Sequence, residues 1–257
     1  MKIVSIGAGN LSTHLTIALQ NSGFEIAQVY SRTETSAKGL AEILHVPYTT
    51  DIGTVTRDAS LYIVTVSDNA IESVSESLTK IKGLVVHSSG SIPMNVFSGK
   101  FKNFGVIYPL QTFSKFCPVD FTTIPVFIEA NTWNSLQILR KIANTISHKV
   151  YNATSLDRMK LHLAAVFGCN FVNHLYSLSF QIAYDAGFDF SVLSTLILET
   201  AHKALSSGNP KEIQTGPAAR KDYNVMQKHL DFLASKPELH EIYSLISENI
   251  IKQSSIC

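Results

Sequence analysis

The sequence is short of cysteine, of net charge and of long unbroken apolar runs, and each shortage removes a class of protein. Its three cysteines, Cys117, Cys169 and Cys257, are widely spaced and include no Cys-x-x-Cys pair. Such an odd, scattered set suits neither a disulfide framework nor a zinc site, and it predicts a reduced, cytoplasmic protein. A formal net charge of +1 over 257 residues speaks against a partner held by charge alone, whether nucleic acid or an anionic membrane surface. The opening MKIVSIGAG holds one lysine and an apolar stretch broken by glycines, without the long apolar core of a signal peptide. The most apolar later stretch, Leu161 to Ala183, is interrupted by His162, Asn170, Asn173 and His174. Those polar groups make it a poor membrane span and predict a buried helix instead.

What is present is enough apolar material for a substantial core, 45% of residues against 16% charged, in one large domain or two small ones. Short β-branched or apolar runs at Lys2–Ile6, Ile26–Ser31, Leu61–Val66, Leu84–His87, Gly105–Tyr108, Pro125–Ile128 and Lys149–Asn152 read as strands. Helical patterns lie between many of them, at Asn10–Asn21, Glu34–Leu44, after Asp68 and at Thr132–Ile146. Strands separated by crossover helices predict an α/β domain with a Rossmann-type parallel sheet covered on both faces. Beyond Asn152 the strand signal stops. Ser155–Ala186, Ser191–Ser206, Tyr223–Leu233 and Glu238–Lys252 read as helices punctuated by Gly and Pro. The expected domains are therefore residues 1–152, α/β, and residues 153–257, a second, all-α domain.

The most informative local signal is KIVSIGAGNLSTHL at the start. Gly7, Gly9 and Ser12 form a G-x-G-x-x-S pattern that leaves the first strand and opens the first helix. Gly7 permits the tight turn. Gly9 lets the backbone approach a pyrophosphate on the free N–H groups of the helix start, with Ala8, Asn10 and Leu11 around it. Ser12 stands where a third small residue packs helix against strand. The motif predicts a bound dinucleotide because the strand–turn–helix context is present with it.

Which dinucleotide depends on the end of the second strand. An NAD site usually carries Asp or Glu there for the ribose 2′-hydroxyl. This chain reads Val29-Tyr30-Ser31-Arg32-Thr33. Arg32, flanked by the hydroxyls of Ser31 and Thr33, suits a 2′-phosphate and hence NADP; the alternative is an ordinary exposed loop arginine. Two further strand ends, at Val66-Ser67-Asp68 and His87-Ser88-Ser89-Gly90, belong beside the same ligand. Asp68 is read equally as a helix cap, and Ser88 and Ser89 as cofactor contacts or turn residues.

These residues carry a resemblance. Through IGAGNLS, VYSRT and VTVSDNAI the N-terminal half resembles the NADP-binding domain of pyrroline-5-carboxylate reductases, deazaflavin-dependent NADP oxidoreductases and 6-phosphogluconate dehydrogenase-like enzymes. The whole chain resembles a family of Rossmann-like proteins with a C-terminal helical domain of unassigned function. The marks are HSSGS at 87–91, YPLQTFS at 108–114, HLAAVFGCNFVNHL at 162–175 and TGPAARKDYNVMQKHL at 215–230. The resemblance implies an NADP-dependent oxidoreductase, and some relatives are linked to ketopantoate reduction. Relatives carry His where this chain has Tyr108, so the resemblance assigns no acid–base role there. A Lys–Asn pair four residues apart, used in the wider superfamily, is absent: Lys160 is followed by Ala164.

The chemistry needs a proton donor and a carbonyl ligand besides the cofactor. His162, Val166, Asn170 and Asn173 share one stripe if the helix keeps a regular period. His162 suits a general acid, since histidine titrates near ~6.5 in ordinary surroundings. Asn170 suits a ligand for a carbonyl or for the nicotinamide amide. The alternative for both is a satisfied core or dimer contact. Arg220, after Gly216-Pro217, is read as a clamp for a substrate carboxylate, or Arg220 and Asp222 as an ion pair or helix caps. Two functions compete. One is a reductase of a small carbonyl or imine acid. The other is a non-catalytic NADP(H)-binding sensor or scaffold. The apolar helix in so small a domain also predicts a homodimer.

Overall fold

The runs marked as strands assemble into one sheet. In a computed structural model of the chain, which describes residues 1–115 and 117–254, β1 (Lys2–Ile6), β2 (Glu25–Tyr30), β3 (Tyr48–Thr49), β4 (Leu61–Val64), β5 (Leu84–His87), β6 (Phe104–Pro109), β7 (Val126–Ala130) and β8 (Val150–Asn152) lie in the order β3-β2-β1-β4-β5-β6-β7-β8. All four residues of β4 and of β5 are buried, as expected of strands covered on both faces. Helices α1 (Asn10–Asn21), α2 (Glu34–Leu44) and α4 (Trp133–Ile146) place Leu15, Leu19, Leu40, Leu44, Leu139 and Ile142 in one core layer. Helix α3 (Asp68–Ser77) and the segment at Phe97 and Phe101 supply the other, with Ile71 and Leu78.

The expected Rossmann-type parallel sheet is present, with one antiparallel pair within it. β6 and β7 run antiparallel, with Ile107 opposite Ile128. Parallel neighbours need a crossover helix. Between these two the described residues form only a loop and a short 3₁₀ turn at Phe121–Thr123, so the chain turns back on itself. The two-residue β3 was not anticipated either. From β1 the sheet is built outward in both directions, so the carboxyl ends of β1 and β4 flank a crevice at the switch point. That is where open α/β sheets bind ligands.

Two compact units divide the chain, residues 1–170 and 171–257. The strands end at Asn152, but the first unit runs on through helix α5 (Ser155–Ala165) and into a π turn at Val166–Phe171. Thr154 and Asp157 start α5 with a reciprocal capping box, which satisfies two free N–H groups at once. The second unit holds α6 (Val172–Asp185), α7 (Ser194–Ser206), α8 (Tyr223–Phe232) and α9 (Pro237–Ser254). Among its described residues only Ala218, Leu233 and Ser247 are buried. In this single chain Leu163 and Phe167 of the first unit, and Phe171 and Phe180 of the second, are each about half exposed or more. A unit this small does not enclose its own apolar faces. Among the described residues no helix is long and apolar enough to cross a membrane. Cys257 lies outside the described residues.

Candidate functional site

The turn after β1 is shaped by contacts that no side chain tolerates. Gly7 has φ +123, and a Cβ there would stand 2.7 Å from Thr65 Oγ1 and 2.9 Å from the Thr65 carbonyl carbon. Its N–H donates to the Tyr30 carbonyl at 2.8 Å, tying the turn to β2. Ser12 does more than pack closely. Its hydroxyl donates to the Gly7 carbonyl at 2.7 Å and lies 2.8 Å from Ser5 Oγ, so it latches α1 to the strand. Gly9 precedes α1, and a Cβ built on it would meet nothing within 4 Å. The first turn of α1 has no acidic residue. Its unpaired N–H groups therefore face open space with positive potential.

Two clefts meet at Gly9. The first, about 630 Å³, is lined by Gly7, Ala8, Gly9, Ser31, Arg32, Thr33, Val66 and Ser67, with Ser36 and Ser73 further out. Arg32 is exposed, and among the described residues no carboxylate lies within ion-pair distance of it. Its cation shares the cleft wall with the hydroxyls of Ser31 and Thr33, a combination suited to an anion.

The second cleft, about 600 Å³, is lined by Gly9, Asn10, Leu11, Val66, Ser67, Asp68, Ser88 and Ser89 from the strand ends. The loop after β6 and helix α5 with its π turn close it, contributing Tyr108, Gln111, His162, Cys169 and Asn170. Helix α1 holds that loop: Asn10 Nδ2 donates to the Phe113 carbonyl at 3.0 Å, and His14 Nε2 lies 2.8 Å from the Ser114 carbonyl. Ser88 Oγ is buried without a hydrogen-bond partner. Ser89 Oγ instead accepts the N–H groups of Ser91 and Ile92, closing its own turn. Ser67 is the cap position of α3, and Asp68 is in its first turn, where a carboxylate is favoured by the helix field. Tyr108 Oη lies 3.0 Å from His162 Nδ1. Burial pushes the Tyr108 hydroxyl up to about 12, so the phenol stays protonated through the neutral range.

A buried guanidinium fixes the floor of this cleft. Arg158 of α5 is 1% exposed and its Nη1 lies 2.6 Å from Glu129 Oε2 of β7. Its Nε donates to the Ser89 carbonyl at 2.9 Å and its Nη2 to the Ile92 carbonyl at 2.5 Å. Glu129 in turn accepts from Ser155 N and Ser155 Oγ. The Ser88–Gly90 turn, β7 and α5 are thus fastened at one point. Burial and the Arg158 charge push His87, at the head of that turn, down to about 3. Its Nδ1 accepts the Ser89 N–H at 3.2 Å.

Comparison with known proteins agrees with this geometry. The family described as NADP oxidoreductase coenzyme F420-dependent matches residues 2–89, and a domain of unknown function, DUF2520, matches residues 124–250. A Bacteroides fragilis protein described as a candidate NADP oxidoreductase is 47% identical, with 98% of each chain covered and a TM-score of 0.93. The chain belongs to this NADP oxidoreductase family. More distant structures share the fold alone. A Streptococcus pyogenes 1-pyrroline-5-carboxylate reductase is 14% identical over 99% of this chain and 98% of its own, with a TM-score of 0.64. A Myxococcus stipitatus imine reductase in complex with NADP+ is 14% identical over 98% and 92%, with a TM-score of 0.63. No curated protein matches.

For an NADP oxidoreductase of this family, the lining fits the cofactor: Gly9 leaves room for a pyrophosphate, Arg32 is a free cation for a 2′-phosphate, and Ser88 Oγ is an orphaned hydroxyl. Of the residues singled out for catalysis, the structure brings His162 and Asn170 to one cleft. Asn170 is exposed. Arg220 is exposed in the second unit and is not part of this lining. Asp222 does not pair with Arg220 but caps α8, accepting from Val225 N. Val166 does not line the cleft, although its N–H bonds to the His162 carbonyl as in a regular helix; the π turn starts only there. Sequence reasoning missed Ser36, Arg158 and Glu129 and gave Tyr108 no role. The one available signal was an arginine in the first turns of a helix that otherwise presents an apolar face.

Proposed function

We propose that this family member reduces a small carbonyl or imine acid with NADPH, and that ketopantoate is the first acceptor to test. The observation that carries this reading is the meeting of two clefts at Gly9. One has a free Arg32 cation among hydroxyls, and the other has a protonatable His162–Tyr108 corner. Gly7 to Leu11 hold the pyrophosphate, Ser31, Arg32 and Thr33 the 2′-phosphate, and Val66, Ser67, Ser88 and Ser89 the remainder of the dinucleotide. NADPH, when bound, supplies a hydride. His162 is the source of the proton for the reduced acceptor, and Asn170 orients the acceptor carbonyl. Arg220 is assigned to the substrate carboxylate, since it has no ion-pair partner among the described residues. The wide exposure of apolar side chains in the second unit supports a homodimer in which a second copy covers them. The free thiols of Cys117 and Cys169 support a reducing, cytoplasmic setting.

The test is NADPH oxidation followed optically against ketopantoate, pyrroline-5-carboxylate and other 2-oxo and imino acids, with Arg32→Ala as control. Turnover of at least one acceptor is expected. Arg32→Ala should lose about 10- to 150-fold in NADP affinity, from the roughly 1.5–3 kcal/mol of a charged hydrogen bond, with NAD affinity kept. Tight NADPH binding without any turnover would replace the reductase with a sensor or scaffold.

A further inference from the structure

The corner where β6 meets α5 is built for two particular side chains. Gly90 has no Cβ, and one placed there would lie 2.6 Å from His162 Cγ. The glycine is the seat of the imidazole. That ring is set edge-on to Tyr108, with centroids 6.2 Å apart at 73°, and Nδ1 meets the phenol at 3.0 Å. The Tyr108 ring is packed against Phe127 and only 8% exposed. Both side chains line the second cleft.

We propose that Tyr108 is the catalytic acid that touches the acceptor's oxygen or nitrogen, and that His162 acts through it as its proton supply. The inference rests on the reductase reading above and says which atom delivers the proton. A phenol has one hydrogen to donate and two positions to accept, and a neutral imidazole has one of each. With His162 neutral, the phenol hydrogen is committed to Nδ1. With His162 protonated, Nδ1–H donates to the phenol oxygen and the phenol hydrogen is free for the cleft. In the reduction of a carbonyl, the carbon receives the hydride from the reduced dinucleotide. The carbonyl oxygen takes the phenol proton as the phenol O–H bond breaks. The phenol oxygen takes the Nδ1 proton, leaving neutral imidazole, which solvent recharges. One hydride and one proton are consumed, and Tyr108 ends as it began.

The charged and titratable groups around the pair are Arg158 and Asp68, whose fields reach the phenol in opposite senses, Cys169 on the cleft wall, and His87, which stays neutral in the core. The carrier is therefore His162, and an unprotonated phenol is disfavoured by burial.

The test compares wild type with Tyr108→Phe, which keeps the ring packing, and with His162→Gln. NMR of labelled histidine, with NADP+ added, reads the His162 ring without requiring turnover. His162→Gln identifies its signals. In the neutral form of the ring, wild type should show one tautomer with the proton on Nε2, and Tyr108→Phe should show a mixture. Identical spectra overturn the pair. With the acceptor that turns over best, Tyr108→Phe should lower kcat by about 10²- to 10⁴-fold with the KM for NADPH retained. Added imidazole should restore part of the His162→Gln loss and none of the Tyr108→Phe loss. Wild-type kcat in Tyr108→Phe overturns the proposal while leaving the reductase standing. Absence of turnover with every acceptor removes the reductase reading, and the relay with it.

Discussion

Replacing Glu129 with glutamine tests how α5 is fastened to the sheet. The change keeps the shape of the side chain but removes the counter-charge of a guanidinium that is 1% exposed. The Ser89 and Ile92 carbonyls still satisfy two of its N–H groups, yet neither neutralises it. Removing one partner of a buried ion pair costs about 3–5 kcal/mol. The Glu129 side chain is 18% exposed, so water reaches the pair from that side and the lower end, about 3 kcal/mol, is expected. For a protein of this size each kcal/mol corresponds to about 2–4 °C, so melting followed by circular dichroism should fall by roughly 6–12 °C. If the second cleft holds the dinucleotide as proposed, binding of NADPH should weaken as well, because the same guanidinium pins the Ser89 carbonyl there. The sharper check is non-additivity. Arg158→Met alone strands two carbonyls and a carboxylate. Once Glu129→Gln has removed the charge, adding Arg158→Met should cost less than it does in wild type. A Glu129→Gln melting point within about 2 °C of wild type, or losses that simply add, would refute the fastening argument.

Two other expectations follow from burial. His87 is held neutral, down to about 3 from an ordinary 6.5, so between those values the unfolded chain binds a proton that the folded chain refuses. Stability from this group is complete above ~6.5 and is lost as pH falls toward 3, by about 2–3 kcal/mol between pH ~6.5 and ~4.5. Urea midpoints across that range should show the loss in wild type and lack it in His87→Gln; equal slopes in both would remove His87 as the cause. The exposed apolar faces of the second unit predict a dimer by light scattering at micromolar concentration, and a monomer alone would contradict the homodimer.

The parts of the site that were legible in the sequence are those where one residue type answers a backbone demand. Gly7 is readable because φ +123 against the Thr65 carbonyl admits no side chain. Arg32 is readable because a charge at a strand end is defined by position alone. The Arg158–Glu129 pair was not readable, since its members are 29 residues apart and each looks like a surface charge until the fold buries it. The antiparallel β6–β7 pairing was hidden for a related reason: apolar runs declare strands, whereas their direction depends on what the loop between them lets the chain do.

The helix that closes the second cleft shows the limit most clearly. His162 and Asn170 were placed together by assuming one helical period from Leu161 onward, and both do line the cleft. Val166 does not line it, although its N–H still bonds to the His162 carbonyl in the regular pattern. From Val166 to Phe171 the chain winds as a π turn. Widening the ring to i→i+5 rotates every later residue relative to the earlier ones. Phase is then preserved only on the N-terminal side of the turn. Of the two residues placed correctly, His162 is secure because it precedes the turn and is wedged against Gly90. Asn170 lines the cleft from within the π turn. The acceptor-binding role proposed for it rests on that placement. The role of His162 depends on the Gly90 seat and the Tyr108 hydroxyl.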